Sequence, residues 1–354
     1  MKTRDTAALL LAILVTAACA EVPPPAPASP QGPQPAVAPA SSTPSPVAST
    51  TTAPVASSLA PATPLTAPRA APIDPARVAS LTGGKPESTD TTVKVSFPRD
   101  DLPVEVDGWK KMAPFMGLTS WAAFIPGGKP GVEAMVMGDL VLFEDEVGPT
   151  MSAALEGGLE VTALHNHFLF DKPRVLFMHI GGEGSVEQLA KGVKAALDAQ
   201  RAVRKKAPQP ASTFGAPPPS PSKIDGAKLD DLLGVKGAAK DGMYKAVFGR
   251  KTQAECGCTV GKTMGVSTWA AFGGVDSDAV VDGDFAVAET ELQPVLKALR
   301  GGGINVVAIH SHMTGESPRI LFLHYWGRGP AASLATTLKH ALDLTAWDGK
   351  STQT

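Results

Sequence analysis

The chain has 354 residues, with 32 Lys and Arg against 34 Asp and Glu and a formal net charge of −2. That balance, with no basic stripe, argues against nucleic-acid binding, and three cysteines are too few for a disulfide scaffold. The length is ample for two core-forming units.

Lys2 and Arg4 form a basic start before the apolar run Ala7 to Ala18, and Thr16-Ala17-Ala18-Cys19-Ala20 follows. Residues 1–20 read as a secretory signal, too short to span a membrane as a mature helix. Cys19 after Ala17-Ala18 resembles a bacterial lipobox, with Thr16 where Leu is usual, and would become a lipidated membrane anchor. The competing reading is ordinary cleavage after Ala18-x-Ala20. Either way the protein is expected to be exported, as a cell-envelope lipoprotein or a periplasmic or secreted protein. Residues 21–80 have no aromatic residue and are dominated by Pro, Ala, Ser and Thr. Such a segment buries too little apolar surface to offset its ordering entropy and is expected to be an extended, disordered tether.

The body of the chain says nearly the same thing twice. Ala163-Leu164-His165-Asn166-His167, Pro173-Arg174 and His179 recur as Ala308-Ile309-His310-Ser311-His312, Pro318-Arg319 and His324, at a constant offset of 145. The repetition also takes in Trp121-Ala-Ala-Phe124 with Trp269-Ala-Ala-Phe272, Asp139 with Asp284, Glu144 and Glu146 with Glu289 and Glu291, and Pro149 with Pro294. The expected layout is repeat one at 81–206, a Pro-rich linker at 207–223, repeat two at 224–348 and a tail at 349–354.

Each repeat reads in the same order. Strands are expected around 93–98, 119–125 and 133–143, where β-branched and aromatic residues alternate imperfectly with polar ones. A helix follows. In repeat two, Thr290-Glu291-Leu292-Gln293 reads as its capping box, Pro294 as first turn and Gly301 to Gly303 as its end. The His-bearing strand pair comes next. A second helix closes the repeat, capped by Ser185 with Gln188 and striped by Val186, Leu189, Val193 and Leu197. This ββ(β)αββα order predicts an α+β fold, a tandem duplication of an antiparallel sheet covered by helices on one face. The two lobes are expected to form a pseudo-dimer. Sequence leaves the oligomeric state open.

Six of the seven histidines belong to the duplicated pattern. Alternation places His165 and His167 on one strand face, about 7 Å apart. A hairpin symmetric about Lys172 sets His179 across from His165, and the same reading about Glu316 is taken to set His324 opposite His310. Each lobe then presents three imidazoles, a set suited to a borderline transition metal such as Zn, Cu or Fe. Asp139 and Asp284, or Glu144 and Glu289, are the candidate carboxylate ligands. Two other readings stand: a small organic or anionic ligand without metal, and a hydrogen-bonded structural cluster. Arg174 and Arg319 read either as anion-binding groups or as ion-pair partners of Glu146 and Glu291. Trp121 and Trp269 read as core anchors and the methionines as core filler. Cys256-Gly-Cys258, present only in repeat two, reads as a disulfide, a soft-metal site or two free thiols.

The Met-Gly-x-[ST]-[ST]-Trp-Ala-Ala-Phe segment, the Gly-Asp before Glu-x-Glu, and Ala-[LI]-His-x-His with its Pro-Arg and final His resemble a family of exported bacterial proteins. That family is named after the mycobacterial lipoproteins LppY and LpqO and is a domain of unknown function. The resemblance covers about 90–200 and 240–345 and implies export and duplication, with no activity attached. The chain also resembles the two-lobed 2H phosphoesterases, whose lobes each give a His-x-Ser/Thr strand to a shared cleft; here the hydroxyl position holds His167 or His312. A metal-dependent hydrolase and a cell-envelope ligand-binding module are the remaining alternatives. No phosphate loop, nucleophile elbow or His-Glu-x-x-His occurs, so no nucleotide cofactor is expected.

Overall fold

The computed structural model describes residues 71–101, 103–110 and 112–349. The leader with Cys19, residues 21–70 of the tether and the tail from 350 lie outside them. In chain order, lobe one runs α1 (Pro75–Thr82), β1 (Lys85–Thr89), β2 (Thr92–Pro98), β3 (Glu105–Val106), β4 (Thr119–Pro126), β5 (Ala134–Phe143), α2 (Glu144–Glu156), β6 (Glu160–His165), β7 (Asp171–Lys172), β8 (Val175–Gly184) and α3 (Val186–Lys206). Lobe two runs α4 (Gly226–Leu233), β9 (Ala238–Lys240), β10 (Met243–Gly249), β11 (Thr252–Gln253), β12 (Thr259–Val260), β13 (Ser267–Val275), β14 (Asp278–Ala288), α5 (Glu289–Gly301), β15 (Asn305–His310), β16 (Ile320–Gly329) and α6 (Ala331–Asp343).

The expected tether reached residue 80, but ordered structure starts earlier. Asp74 caps α1 by accepting from the Ala76 N–H, Pro75 sits in its first turn, and Gly83 ends it at φ 76°. Ile73 is already buried. The Asp-Pro pair and the Gly eight residues later were the available signal. Its counterpart α4, capped by Asp225 and ended by Gly234, was likewise not anticipated.

The main strands form one antiparallel sheet of twelve, in the order β1-β2-β4-β5-β8-β6-β15-β16-β14-β13-β10-β9. The lobes meet at β6 and β15, where Leu164 pairs with Ile309. These two residues are counterparts at the 145 offset, so a pseudo-two-fold axis passes between them. Strand alternation sorts the sheet faces. Val93, Phe124, Val136, Leu140, Leu142, Leu164, Met178 and Ile180, with their lobe-two counterparts, point toward the helices into one apolar core shared by both lobes. Among the described residues, the opposite face carries two small apolar clusters, around Phe143 and Phe177 in lobe one and around Val266 and Phe322 in lobe two.

The lobes are also tied on the helical side. Gln293 on α5 accepts from the Val161 N–H at 3.0 Å and donates to the Val161 carbonyl at 2.9 Å. Arg300 donates to Ser152 Oγ at 3.1 Å. Gly148 on α2 permits this approach, because a Cβ there would lie 2.8 Å from Asn305 Oδ1 and 2.9 Å from an Arg300 nitrogen.

Two local readings change. The cap of α5 is two residues earlier than expected: Glu291 accepts from the Ala288 N–H at 2.8 Å, as Glu146 does from Phe143 at 2.9 Å. Pro294 therefore falls in the second turn, inside the helix. Ser185 does cap α3 by accepting from the Gln188 N–H, and the expected stripe of Val186, Leu189, Val193 and Leu197 is buried.

Candidate functional site

The histidines stand on the sheet face away from the helices. His310 ends β15, His312 lies in the loop beyond it, and His324 is in β16. The ring centroids of His310 and His312 are 5.0 Å apart, and those of His310 and His324 are 4.7 Å apart. In lobe one the equivalent separations around His165 are 5.1 Å to His167 and 5.0 Å to His179. In both lobes the first histidine is the middle of the group.

The hairpin register differs from the expected one. Ala163 pairs with His179 and His165 with Phe177; Ala308 pairs with His324 and His310 with Phe322. His179 is thus diagonal to His165 rather than opposite it. The cause is the turn. The buried carboxylates of Asp171 and Glu316 accept the N–H four residues on, from Val175 at 2.6 Å and Ile320 at 3.0 Å. That centres the lobe-one hairpin on Asp171 instead of Lys172 and moves His179 by two residues; the lobe-two hairpin is centred on Glu316 as expected, and a centre there sets Phe322, not His324, opposite His310. Both turns enter their second strand through a cis X-Pro bond, Lys172-Pro173 and Ser317-Pro318.

The positions opposite the first histidines hold buried phenylalanines, and each carries the third ring of the group. His167 stacks on Phe177 with centroids 3.5 Å apart and planes 5° apart; His312 stacks on Phe322 at 3.4 Å and 9°. The loop histidines are therefore seated on an aromatic platform and not on the strand itself.

Asp139 and Asp284 join the histidines. Register places Asp139 opposite His179 and Asp284 opposite His324. Asp284 is 3% exposed and Asp139 7%. Asp284 Oδ2 lies 3.6 Å from His312 Nε2, and its Oδ1 lies 4.0 Å from His324 Nδ1. Neither distance is a hydrogen bond. Oδ1 of each aspartate and Nδ1 of His310 are buried without a hydrogen-bond partner, a costly condition in a protein interior. His324 Nδ1 is 3.4 Å from the Gly283 carbonyl; donation there leaves Nε2 with a free lone pair. Among the described residues, no three or more His, Cys, Asp and Glu side chains already close around one metal-sized point.

Electrostatics favour the neutral form of three of the imidazoles. Burial, and then the charge of neighbouring histidines, holds His165, His310 and His312 below the ordinary histidine value. Burial pushes the Asp284 carboxyl up to about 6, with Asp282 adding to the rise and His324 opposing it. Asp282, on the same strand face, is a residue the sequence reading missed. Its counterpart in lobe one is Met137, so comparing the copies for unmatched carboxylates was the signal available.

The other candidates lie elsewhere. Glu144 is 4.0 Å from Arg174 and Glu289 is 3.2 Å from Arg319, all four exposed at the starts of α2 and α5. The expected pairing of Arg174 and Arg319 with Glu146 and Glu291 does not form. Those glutamates take Arg99 and Arg250 instead, and Glu146 also takes Arg204. Trp121 and Trp269 are not core anchors. They pair with Asp139 and Asp284 on the histidine face, half-buried, with Lys94 and Lys245 over their rings at 4.7 and 4.0 Å. Of the methionines read as filler, Met151 is buried but Met137 is 55% exposed. Cys256 and Cys258 are joined as a disulfide in the turn between β11 and β12.

Residues 76–199 and 227–344 each match the family described as Domain of Unknown Function (DUF1259). The chain belongs to that family and holds two copies of its domain. No curated protein matches it. Among solved structures, a trimeric bacterial microcompartment shell protein, PduB, is 15% identical, with 73% of this chain and 89% of that one covered and a TM-score of 0.16. EtuB from Clostridium kluyveri is 12% identical, with 73% and 90% covered and a TM-score of 0.18. Likenesses this slight bear on neither fold nor function.

Proposed function

We propose that this member of a family of unknown function binds transition metal, Zn, Cu or Fe, in each lobe. His165, His167, His179 and Asp139 serve one centre; His310, His312, His324 and Asp284 serve the other. The observation that carries the reading is the Asp284 carboxylate, buried with one oxygen unpartnered and with His312 Nε2 3.6 Å from the other. Ligand atoms around a tetrahedral zinc with bonds of about 2.0–2.1 Å are about 3.3–3.4 Å from one another. The 3.6 Å spacing is too long for a hydrogen bond and close to that edge length. Closing the shell requires the His312 and His324 rings, both partly exposed, to turn toward Asp284. A metal also answers the three polar atoms of the two groups that burial leaves unpaired, Oδ1 of Asp139 and Asp284 and Nδ1 of His310.

The reading extends to the cell envelope. The basic-then-apolar start and Cys19 support export with a lipid anchor, in keeping with the likeness to the LppY and LpqO lipoproteins. No described helix is long and apolar enough to cross a membrane.

Metal analysis of protein purified from its natural compartment, beside His165→Ala and His310→Ala, tests the proposal. About one metal per lobe, lost lobe by lobe in the variants, is expected. Protein that stays metal-free when offered Zn²⁺, Cu²⁺ and Fe²⁺ rules it out. One observation favours a second reading, catalysis: the two His-x-His strands adjoin at the pseudo-axis, as a two-lobed acid–base cleft requires. Turnover of a cyclic phosphodiester by metal-free protein would favour a 2H-like phosphoesterase; turnover only with metal would favour a hydrolase using metal-activated water.

A further inference from the structure

The Leu164–Ile309 pair fixes what lies on the opposite sheet face beside it. Continuing the antiparallel register by one residue each way sets His165 opposite Ala308 and His310 opposite Ala163. All four side chains point away from the helices, because their neighbours Leu164 and Ile309 point into the core. His165 and His310 are therefore diagonal neighbours across the pseudo-axis, with Cβ atoms about 7–8 Å apart. Between them the floor is only the methyl groups of Ala163 and Ala308, both partly exposed.

The outer histidines are not far off. His179 and His324 sit on β8 and β16, separated in the sheet by β6 and β15. Three strand spacings of about 4.8 Å, with a two-residue stagger of about 7 Å along the strands, make that about 16 Å. Each lobe's donors spread from its inner histidine to its aspartate, one strand beyond the outer histidine, so an ion shared by all of them sits near the outer histidine and the two centres are about 15 Å apart.

We infer that the two histidine groups are halves of one composite site astride the pseudo-axis, a shallow groove floored by Ala163 and Ala308 in which two metal ions serve a single ligand. This rests on the metal reading above. Two dications set against Asp139 and Asp284 leave the groove with surplus positive charge, so the shared ligand is an anion long enough to reach both ions. Lobe two has the additional carboxylate of Asp282, so the halves are unequal and the longer anion has a preferred direction.

Copper loading separates the two ideas. Intact protein with two Cu²⁺ per chain is expected to show a copper–copper dipolar modulation in pulsed electron–electron double resonance. His165→Ala and His310→Ala should each retain one copper and lose the modulation. Two magnetically isolated coppers overturn the composite site while leaving the metal reading intact; no bound copper, zinc or iron overturns both. Sebacate, a ten-carbon diacid long enough to reach both ions, is then added to the copper-loaded protein. Perturbation of both copper signals at one sebacate per chain is expected, with weaker binding in either single-lobe variant. Binding no tighter than acetate, at two per chain, overturns the shared ligand.

Discussion

Asp284 on β14 and His324 on β16 face each other in register, with Oδ1 and Nδ1 4.0 Å apart and the carboxylate almost fully buried. A carboxylate in that position is costly when nothing completes its shell. Burial raises its pKa to about 6, above the ordinary value of 3.8. The folded protein thus holds this proton more tightly than the unfolded chain. The resulting penalty is absent below about pH 4, grows as pH rises through 6 and is complete above it.

Asp284→Asn should therefore stabilise the metal-free protein, on the order of 1–3 kcal/mol above pH 6, from a rise of about two pKa units. The same change should abolish metal binding in lobe two. Urea unfolding at pH 5 and pH 7.5, with and without zinc, checks both: the advantage should shrink at pH 5 and reverse when zinc is present. An equal loss of stability at both pH values, without metal, would contradict the argument. His165, His310 and His312 act with the opposite sign. Their lowered values contribute stability that is present above the unfolded value of 6.5 and lost as pH falls toward their folded values.

Phe322 supports His312 as a parallel platform. Phe322→Leu keeps an apolar side chain in the small cluster and should cost less than about 1.5 kcal/mol of fold stability. It removes the stacking, worth about 0.5–1.5 kcal/mol, so lobe-two zinc affinity should fall about 2- to 12-fold while lobe one is unchanged. Isothermal titration of the intact protein and the variant reads the difference; unchanged affinity would show that the platform is dispensable.

Glu146 is fully buried and held by Arg99, Arg204 and the Phe143 N–H. Removing one member strands buried charge, so Glu146→Ala should cost about 3–5 kcal/mol. Its exposed neighbour Glu144 pairs with Arg174 at 4.0 Å, and Glu144→Ala should change stability by under about 1 kcal/mol. Denaturant midpoints at constant slope compare the two. Similar losses would mean that the Arg99 network is not the reason for the duplicated glutamate.

Cys256 and Cys258 close a very short loop, present in one lobe only. Replacing both with Ser should cost at most about 2 kcal/mol. Metal stoichiometry should stay at two per chain, measured by elemental analysis. Loss of the lobe-two metal would bring the pair into the site.

The sequence by itself determined what local rules govern. The 145-residue offset revealed the duplication, strand alternation and helix signals revealed the α+β order, and period-two geometry put the first and third histidines of each group on one face. Only the tertiary structure decided how distant segments meet. Asp171 and Glu316 set the hairpin centre through a hydrogen bond four residues away, and that choice moved His179 off His165 and brought Phe177 there instead. The alternation around Trp121 and Trp269 was readable, but which face the helices cover was not, so residues read as core came to lie beside Asp139 and Asp284. Arg99 and Arg250 displaced Arg174 and Arg319 as partners of the buried glutamates because β2 and β10 approach those helix starts across the sheet. The pairing of Leu164 with its own counterpart Ile309 leaves no trace in a single repeat, because an edge strand's partner is chosen by what the assembled core exposes. That pairing made two separate histidine groups neighbours.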